Sequence, residues 1–103
     1  MTDRELLELA AKAAGYMPNN NWAWSERAQA FRYRLGGDWI EWNPRDDDGD
    51  ALRLAVKLFD GDDMEVIWHN ARRLRAECPE LDEVAAIRHA IFHAAADIGR
   101  NMP

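Results

Sequence analysis

The sequence predicts an α+β domain in which three helices pack on one face of a small antiparallel sheet of three or four strands. Three segments carry apolar residues at helical spacing, at the start, in the middle and at the end of the chain. Between the first two, strand-like residues flank the pair Gly36-Gly37, and a two-residue glycine turn is typical of an antiparallel hairpin. Helices that bury one face against such a sheet form a common two-layer architecture.

The first helix is predicted over Asp3–Ala14. Thr2 and Glu5 have the spacing of a capping box at its start, and Gly15 stands where a helix C-cap is expected. Residues 18–24 are then predicted to turn and to enter a strand.

The hairpin is predicted from Ala30–Leu35 and Asp38–Trp42. The expected cross-strand pairs are Phe31 with Trp42, Arg32 with Glu41, Tyr33 with Ile40 and Arg34 with Trp39. This register gives the sheet one apolar face for the core. On the other face it leaves Arg34 within reach of a cation–π contact with Trp39.

A second helix is expected after Asn43-Pro44, and it closes near Asp60-Gly61. The aspartates before its first turn are N-cap candidates. Its apolar stripe is predicted to consist of Leu52, Ala55, Val56 and Phe59.

The segment Met64–His69 is predicted to be a strand, because Val66, Ile67 and Trp68 stand at its centre. Residues 72–77 are interpreted as a returning edge strand, although a helical turn fits them equally well. A last helix is expected to begin at Pro79 and to end at Gly99. The residues predicted along its apolar side are Val84, Ile87, Ile91, Ala94 and Ile98.

Length and composition predict one domain spanning residues 1–103, since 48% of the residues are apolar. No apolar run reaches the roughly 18 residues of a membrane span, and the first residues lack the apolar core of a secretory signal. Cys78 is the single cysteine, so an internal disulfide and a cysteine-based zinc site are excluded. We therefore expect a cytoplasmic protein without membrane contact.

The net charge of −6 lies entirely between Asp38 and Asp63. Most of the acidic residues there form two clusters, Asp46, Asp47, Asp48 and Asp50 before the second helix and Asp60, Asp62 and Asp63 after it. The second cluster would stand at the unfavourable end of that helix's dipole. An acidic surface of this kind repels nucleic acid and attracts basic proteins. Helix capping is the alternative explanation for so many aspartates.

Five tryptophans are many for a domain of this size. Trp42 and Trp68 are assigned to the core, whereas Trp22, Trp24 and Trp39 are expected to anchor a protein partner. Packing of all five in the core is the alternative. Bases of a nucleic acid would stack on such rings next to Arg27, Arg32, Arg34 and residues 72–75. The acidic net charge disfavours a nucleic-acid partner.

His89, His93 and Asp97 lie four residues apart on one face of the last helix. Two imidazoles and a carboxylate are a workable set of metal ligands. The acidic residue of a His-Glu-x-x-His motif is absent, however. We therefore predict neither a metal nor a cofactor, and a metal-binding module or metal-dependent enzyme is kept as an alternative.

The segment Trp42–Leu58 resembles the central motif of the NinX-like family of small phage and prophage proteins. Asp3–Gly15 is similar to that family's first helix, and Arg88–Arg100 is similar to its closing helix. Family members tend to carry Arg where His89 and His93 stand, which implies a solvated basic face. The resemblance implies a phage accessory protein in the bacterial cytoplasm, and it implies no catalytic residue.

The preferred hypothesis is a small phage or prophage accessory protein that acts without catalysis, by protein–protein binding. Its acidic surface and exposed tryptophans would bind a host protein with a basic surface, such as a host defence or nucleic-acid-binding protein that it inhibits. A homodimer is the other use of such a surface. Residues 16–35 and 59–81 match the family less closely, so specificity is expected there.

Overall fold

The computed structural model describes residues 2–16, 22–59 and 61–103. Within these ranges it contains four helices and one three-stranded antiparallel sheet, which confirms the predicted α+β class with one helix more than expected. None of these helices is long and apolar enough to cross a membrane. The elements in chain order are α1 (Asp3–Ala13), β1 (Trp22–Ser25), β2 (Ala30–Leu35), β3 (Asp38–Trp42), α2 (Asp48–Leu58), α3 (Gly61–Glu77) and α4 (Glu83–Arg100).

The N-terminal helix α1 begins at the predicted N-cap Thr2, which bonds to Glu5. The backbone N–H of Glu5 donates to the Thr2 hydroxyl at 3.2 Å, and that hydroxyl donates to the Glu5 carboxylate at 3.1 Å. The chain leaves the helix through Gly15, whose φ of +79° costs a glycine little. Both ends of α1 therefore agree with the prediction to within one residue.

The hairpin β2–β3 has the predicted register, with all four expected cross-strand pairs present. Gly36 and Gly37 both have positive φ, +61° and +95°, which is the conformation of the tight turn that suits twisted strands. β1 pairs with the other side of β2. Phe31 and Trp42 belong to the same buried cluster as residues of α1, α2 and α4, so the sheet and the helices share one core.

The strand predicted at Met64–His69 is wrong, because this segment lies in α3. Residues 72–77 lie in the same helix, so the helical alternative is confirmed there and the edge strand is wrong. The run of branched and aromatic residues at 66–68 has a high strand propensity by itself. Over a longer window the core residues of this segment recur at helical spacing, and they are Met64, Ile67, Ala71 and Leu74. Packing of this stripe outweighs the local strand preference.

The inward face of α2 agrees with the predicted one only in part, since Ala55 is buried and Phe59 packs against the core as expected. Leu52 and Val56, half of the expected stripe, are 64% and 75% exposed. The inward face consists of Asp50, Ala51, Leu54 and Ala55. Two alanines on this face let α2 approach α4 closely, because the distance between packed helices is determined by the side chains at the contact.

The C-terminal helix α4 is the one against which the other three helices pack. Its buried face is rich in alanine, with Ile91 and Phe92 as the large residues. Val84 and Ile98, predicted in the inward stripe, are exposed. Small residues therefore form the inward face of α4, and they allow three helix backbones to approach it.

Gly99 does not end the last helix, which begins after the N-cap Asp82 and continues to Arg100. Gly99 is instead a point of contact between α4 and α1. A Cβ atom at this position would overlap the backbone carbonyl oxygen of Leu9. The two helix backbones could not approach so closely around any other residue.

We expect Gly99→Ala to lower the free energy of unfolding by about 2 kcal/mol or more, because the added methyl group forces α1 and α4 apart. The matched control is Gly61→Ala at the start of α3, where a Cβ meets no atom within 4 Å. That control should leave stability unchanged or raise it by up to about 1 kcal/mol. Chemical denaturation of the three proteins measures the difference, and equal effects of the two substitutions would contradict the close contact.

Candidate functional site

The acidic segment at the start of α2 is bonded to arginines. Arg45 donates to Asp46 from Nη2 at 2.9 Å and from Nε at 3.0 Å, and to Asp3 of α1 from Nη1 at 2.9 Å. Arg88 of α4 donates to Asp48 at 2.6 Å and to the backbone carbonyl of Arg45 at 3.2 Å. These bonds join α1, the turn before α2, and α4.

The pKa of Asp46 reflects these bonds. Burial raises this pKa, but the hydrogen bond and the charge of Arg45, with smaller contributions from Asn43 and Arg88, outweigh burial. The net result is a pKa below the ordinary value. The carboxylate form of Asp46 is therefore the form that stabilises the fold.

Asp50 is buried inside the domain, and only 7% of its surface is exposed. One carboxylate oxygen accepts the backbone N–H of Asn43 at 2.8 Å, and the other accepts Arg53 Nη2 at 2.8 Å. The backbone N–H of Asp50 donates to the N-cap Asp47. The hydrogen bond and charge of Asp50 raise the pKa of Arg53.

The first acidic cluster therefore differs from a free acidic surface. Asp46, Asp48 and Asp50 each pair with an arginine, and Asp47 caps a helix. The side chains of Asp46 and Asp48 still lie at the surface. Each of them nevertheless pairs with an arginine of the same chain, Arg45 or Arg88, which reduces the attraction for a basic partner.

The second acidic cluster is described only in part. Asp60 lies outside the described residues, and for Asp62 only the backbone is described. Asp62 and Asp63 stand in the first turn of α3. The expected unfavourable position at a helix C-terminus is therefore wrong for these two residues, since negative charge at a helix N-terminus is favourable.

The tryptophans predicted to contact a partner lie in different surroundings. Trp39 on the polar face of the sheet has the guanidinium groups of Arg32 and Arg34 each 5.2 Å from its ring centroid. The predicted contact with Arg34 is thus confirmed. Trp24 is half-buried beneath Arg4 of α1. A base that stacked on Trp39 would compete with two guanidinium groups that already contact the ring.

Trp22 is part of a group of aromatic rings. Its indole stacks on Tyr33 at 5.2 Å and on Tyr16 at 5.6 Å, and it meets Trp42 edge to face at 5.5 Å. The rings surround a cavity of about 280 Å³ that we call the aromatic pocket. Its lining residues are Tyr16, Trp22, Tyr33, Trp42, Asp50 and Arg53.

The rings of His89 and His93 stack in parallel, with centroids 5.9 Å apart. Asp97 pairs with Arg100 at 3.1 Å. Among the residues that the structure describes, no three His, Cys, Asp or Glu side chains are grouped so that they could hold a metal. Burial lowers the pKa of His89, and the positive charges of His93 and Arg88 lower it further.

A groove that the sequence did not predict runs between α3 and α4. Its volume is about 530 Å³, and Val66 on α3 and Ile98 on α4 are exposed along it. Its other apolar residues are Phe59, Leu74, Ala90 and Ala94, and its polar residues are Asn70, Arg73, Glu77, His93 and Asp97. We call it the α3–α4 groove. The groove was not predicted because residues 64–77 were interpreted as strands. The apolar residues at helical spacing within 64–74 are the one sequence signal for this groove.

Trp68 lies on the other side of α3. It is exposed rather than in the core, so its assignment to the core is wrong, whereas Trp42 is buried as predicted. Trp68 lines a small depression with Arg72 and Arg75.

Comparison of the chain with protein-family models, with curated proteins and with solved structures gives no significant match. The resemblance to the NinX-like family therefore stays a prediction from the residues.

We expect Arg45→Gln to lower the free energy of unfolding by about 2 kcal/mol, because it removes charge-assisted hydrogen bonds to Asp3 and Asp46. The control is Arg27→Gln, since the exposed side chain of Arg27 makes no ion pair with the described residues. That substitution should change stability by less than about 0.5 kcal/mol. Urea denaturation measures both, and equal losses would contradict a structural role for Arg45.

The lowered pKa of His89 predicts a loss of stability as the pH falls below the ordinary histidine value of about 6.5. The unfolded chain then binds a proton at this residue that the folded chain does not bind, so the free energy of unfolding decreases until the pH passes the folded pKa. His89→Gln should lose less stability than the parent protein between neutral and mildly acidic pH. The exposed His69 gives the control His69→Gln, and the prediction fails when both variants keep the parent's pH dependence.

Proposed function

We propose that this protein acts without catalysis, by holding an amphipathic helix of another protein in the α3–α4 groove. The observation that carries this proposal is the exposure of Val66 and Ile98 along the same groove. Exposed apolar side chains that line one depression are typical of binding sites. A helix laid in the groove would remove both of them from water.

The length of the groove suits a short helix. Its α3 wall extends from Val66 to Glu77, which is about 16 Å along the helix axis at 1.5 Å per residue. A partner helix of about three turns spans this distance and can place apolar residues at i, i+4 and i+7 against Leu74, Ala90 and Ala94.

The net charge of the chain favours a partner with basic residues beside its apolar face. On the groove itself, Asp97 pairs with Arg100, and Glu77 stands one helical turn from Arg73. The chain as a whole carries a net charge of −6. Such a charge increases the rate at which a basic protein is encountered.

This partner is the one expected from the sequence, but the proposed contact surface is different. We place the contact in the α3–α4 groove and not on the acidic segment, because Asp46, Asp48 and Asp50 are paired with arginines of the same chain. The NinX-like resemblance supports a phage or prophage accessory protein in the bacterial cytoplasm. We propose that the complex inhibits a host defence or nucleic-acid-binding protein.

Val66→Glu is expected to weaken partner binding at least about tenfold, because it places a charge on the apolar wall of the groove. A photo-crosslinking residue at position 66 captures the partner from a lysate of the bacterial host, and calorimetry with the purified partner gives the affinity. The matched control is Val56→Glu, the same substitution at an exposed valine of α2 outside the groove.

The expected result is binding by the parent protein and by Val56→Glu, with loss in Val66→Glu only. Equal affinity of both variants for the partner would contradict the proposal. A dimer seen by light scattering that Val66→Glu converts to a monomer would also contradict it, because a second copy would then occupy the groove.

A further inference from the structure

We infer that the aromatic pocket binds a planar aromatic anion, for which a nucleoside monophosphate is the simplest probe. The inference does not depend on the proposed function, since the aromatic pocket and the α3–α4 groove share no lining residue.

The aromatic rings provide flat walls for a planar ligand. Tyr16, Trp22 and Tyr33 are half-buried, so part of each ring remains accessible, while Trp42 is buried. Trp22 and its stacked neighbours are nearly parallel, at 14° to Tyr16 and 26° to Tyr33. Side chains held in such contacts lose little conformational freedom when a ligand ring stacks beside them.

Two cations, Arg53 and Lys57, and one carboxylate, Asp50, stand beside these rings. Both oxygens of Asp50 already accept hydrogen bonds, from the Asn43 backbone and from Arg53. The Arg53 side chain is mostly exposed, and a guanidinium has five N–H donors, of which Asp50 uses one. Lys57 adds a second cation 4.8 Å from the centroid of Tyr16. An anionic group at the mouth of the pocket therefore finds unused donors.

A cationic ligand fits this pocket poorly, although aromatic rings often bind ammonium groups. Lys57 already occupies the position over Tyr16 that such a ligand would take. Asp50 is the carboxylate that lines the same cavity, and both of its oxygens already accept hydrogen bonds, so it is not free to pair with a second cation.

The size of the cavity limits the ligand. A volume of about 280 Å³ lies near the lower end of the range for small-molecule pockets, roughly 300 Å³. One ring system of the ligand can enter beside Trp22. The phosphate or carboxylate of the ligand then stays at the mouth of the pocket, near Arg53 and Lys57.

The indole N–H signals of the five tryptophans give an internal test in two-dimensional ¹H–¹⁵N spectra. The variants Trp24→Phe, Trp39→Phe and Trp68→Phe first assign three of the signals, which leaves those of Trp22 and Trp42. On titration with adenosine or uridine monophosphate, we expect the signals of Trp22 and Trp42 to shift. Those of Trp39 and Trp68 should stay in place, because neither residue lines the pocket. Adenosine alone and inorganic phosphate alone should bind more weakly than the monophosphate.

The chain offers a matched pair of lysine variants, since Lys57 and Lys12 are its only lysines. Lys57→Ala should weaken binding of the monophosphate roughly five- to tenfold, and Lys12→Ala should leave it unchanged. Unshifted Trp22 and Trp42 signals at millimolar nucleotide would overturn the inference. Equal binding of adenosine and its monophosphate, or equal affinity of the two lysine variants, would overturn it as well.

Discussion

Two arginines with little access to solvent, Arg45 and Arg88, determine how the turn after the hairpin joins α1 and α4. A guanidinium group removed from water is costly unless carboxylates accept its hydrogen bonds. Asp3, Asp46 and Asp48 supply these acceptors. Asp46 and Asp48 of the acidic stretch are thus needed within the fold, and a function that requires these two side chains to be free would compete with stability.

The parts of the fold that are determined by residues close together in the sequence could be predicted. The N-cap of α1 and the Gly36-Gly37 turn each specify a local geometry, so the first helix and the hairpin register follow. α3 could not be predicted in this way, because its strand-like centre at 66–68 is overruled by packing on α4. The inward faces of α2 and α4 were predicted only in part. Ala55 and Ile91 are buried as expected, whereas Leu52, Val56 and Ile98 are exposed, because close packing favours alanine on these faces.

The candidate sites depend on contacts between distant parts of the chain. Arg34 and Trp39 are cross-strand neighbours, so their contact could be predicted from the hairpin. Arg88 and Asp48 are 40 residues apart, and no local pattern pairs them. The α3–α4 groove exists only because residues 61–77 are helical, so the error in secondary structure removed the site as well.

The strand β3 lies at one edge of the sheet in the described part of the chain. An edge strand offers unpaired backbone groups to any other extended chain. Two exposed acidic residues, Asp38 and Glu41, stand on this strand. If two copies paired in register and in parallel along this edge, these charges would meet like charges, which opposes such pairing.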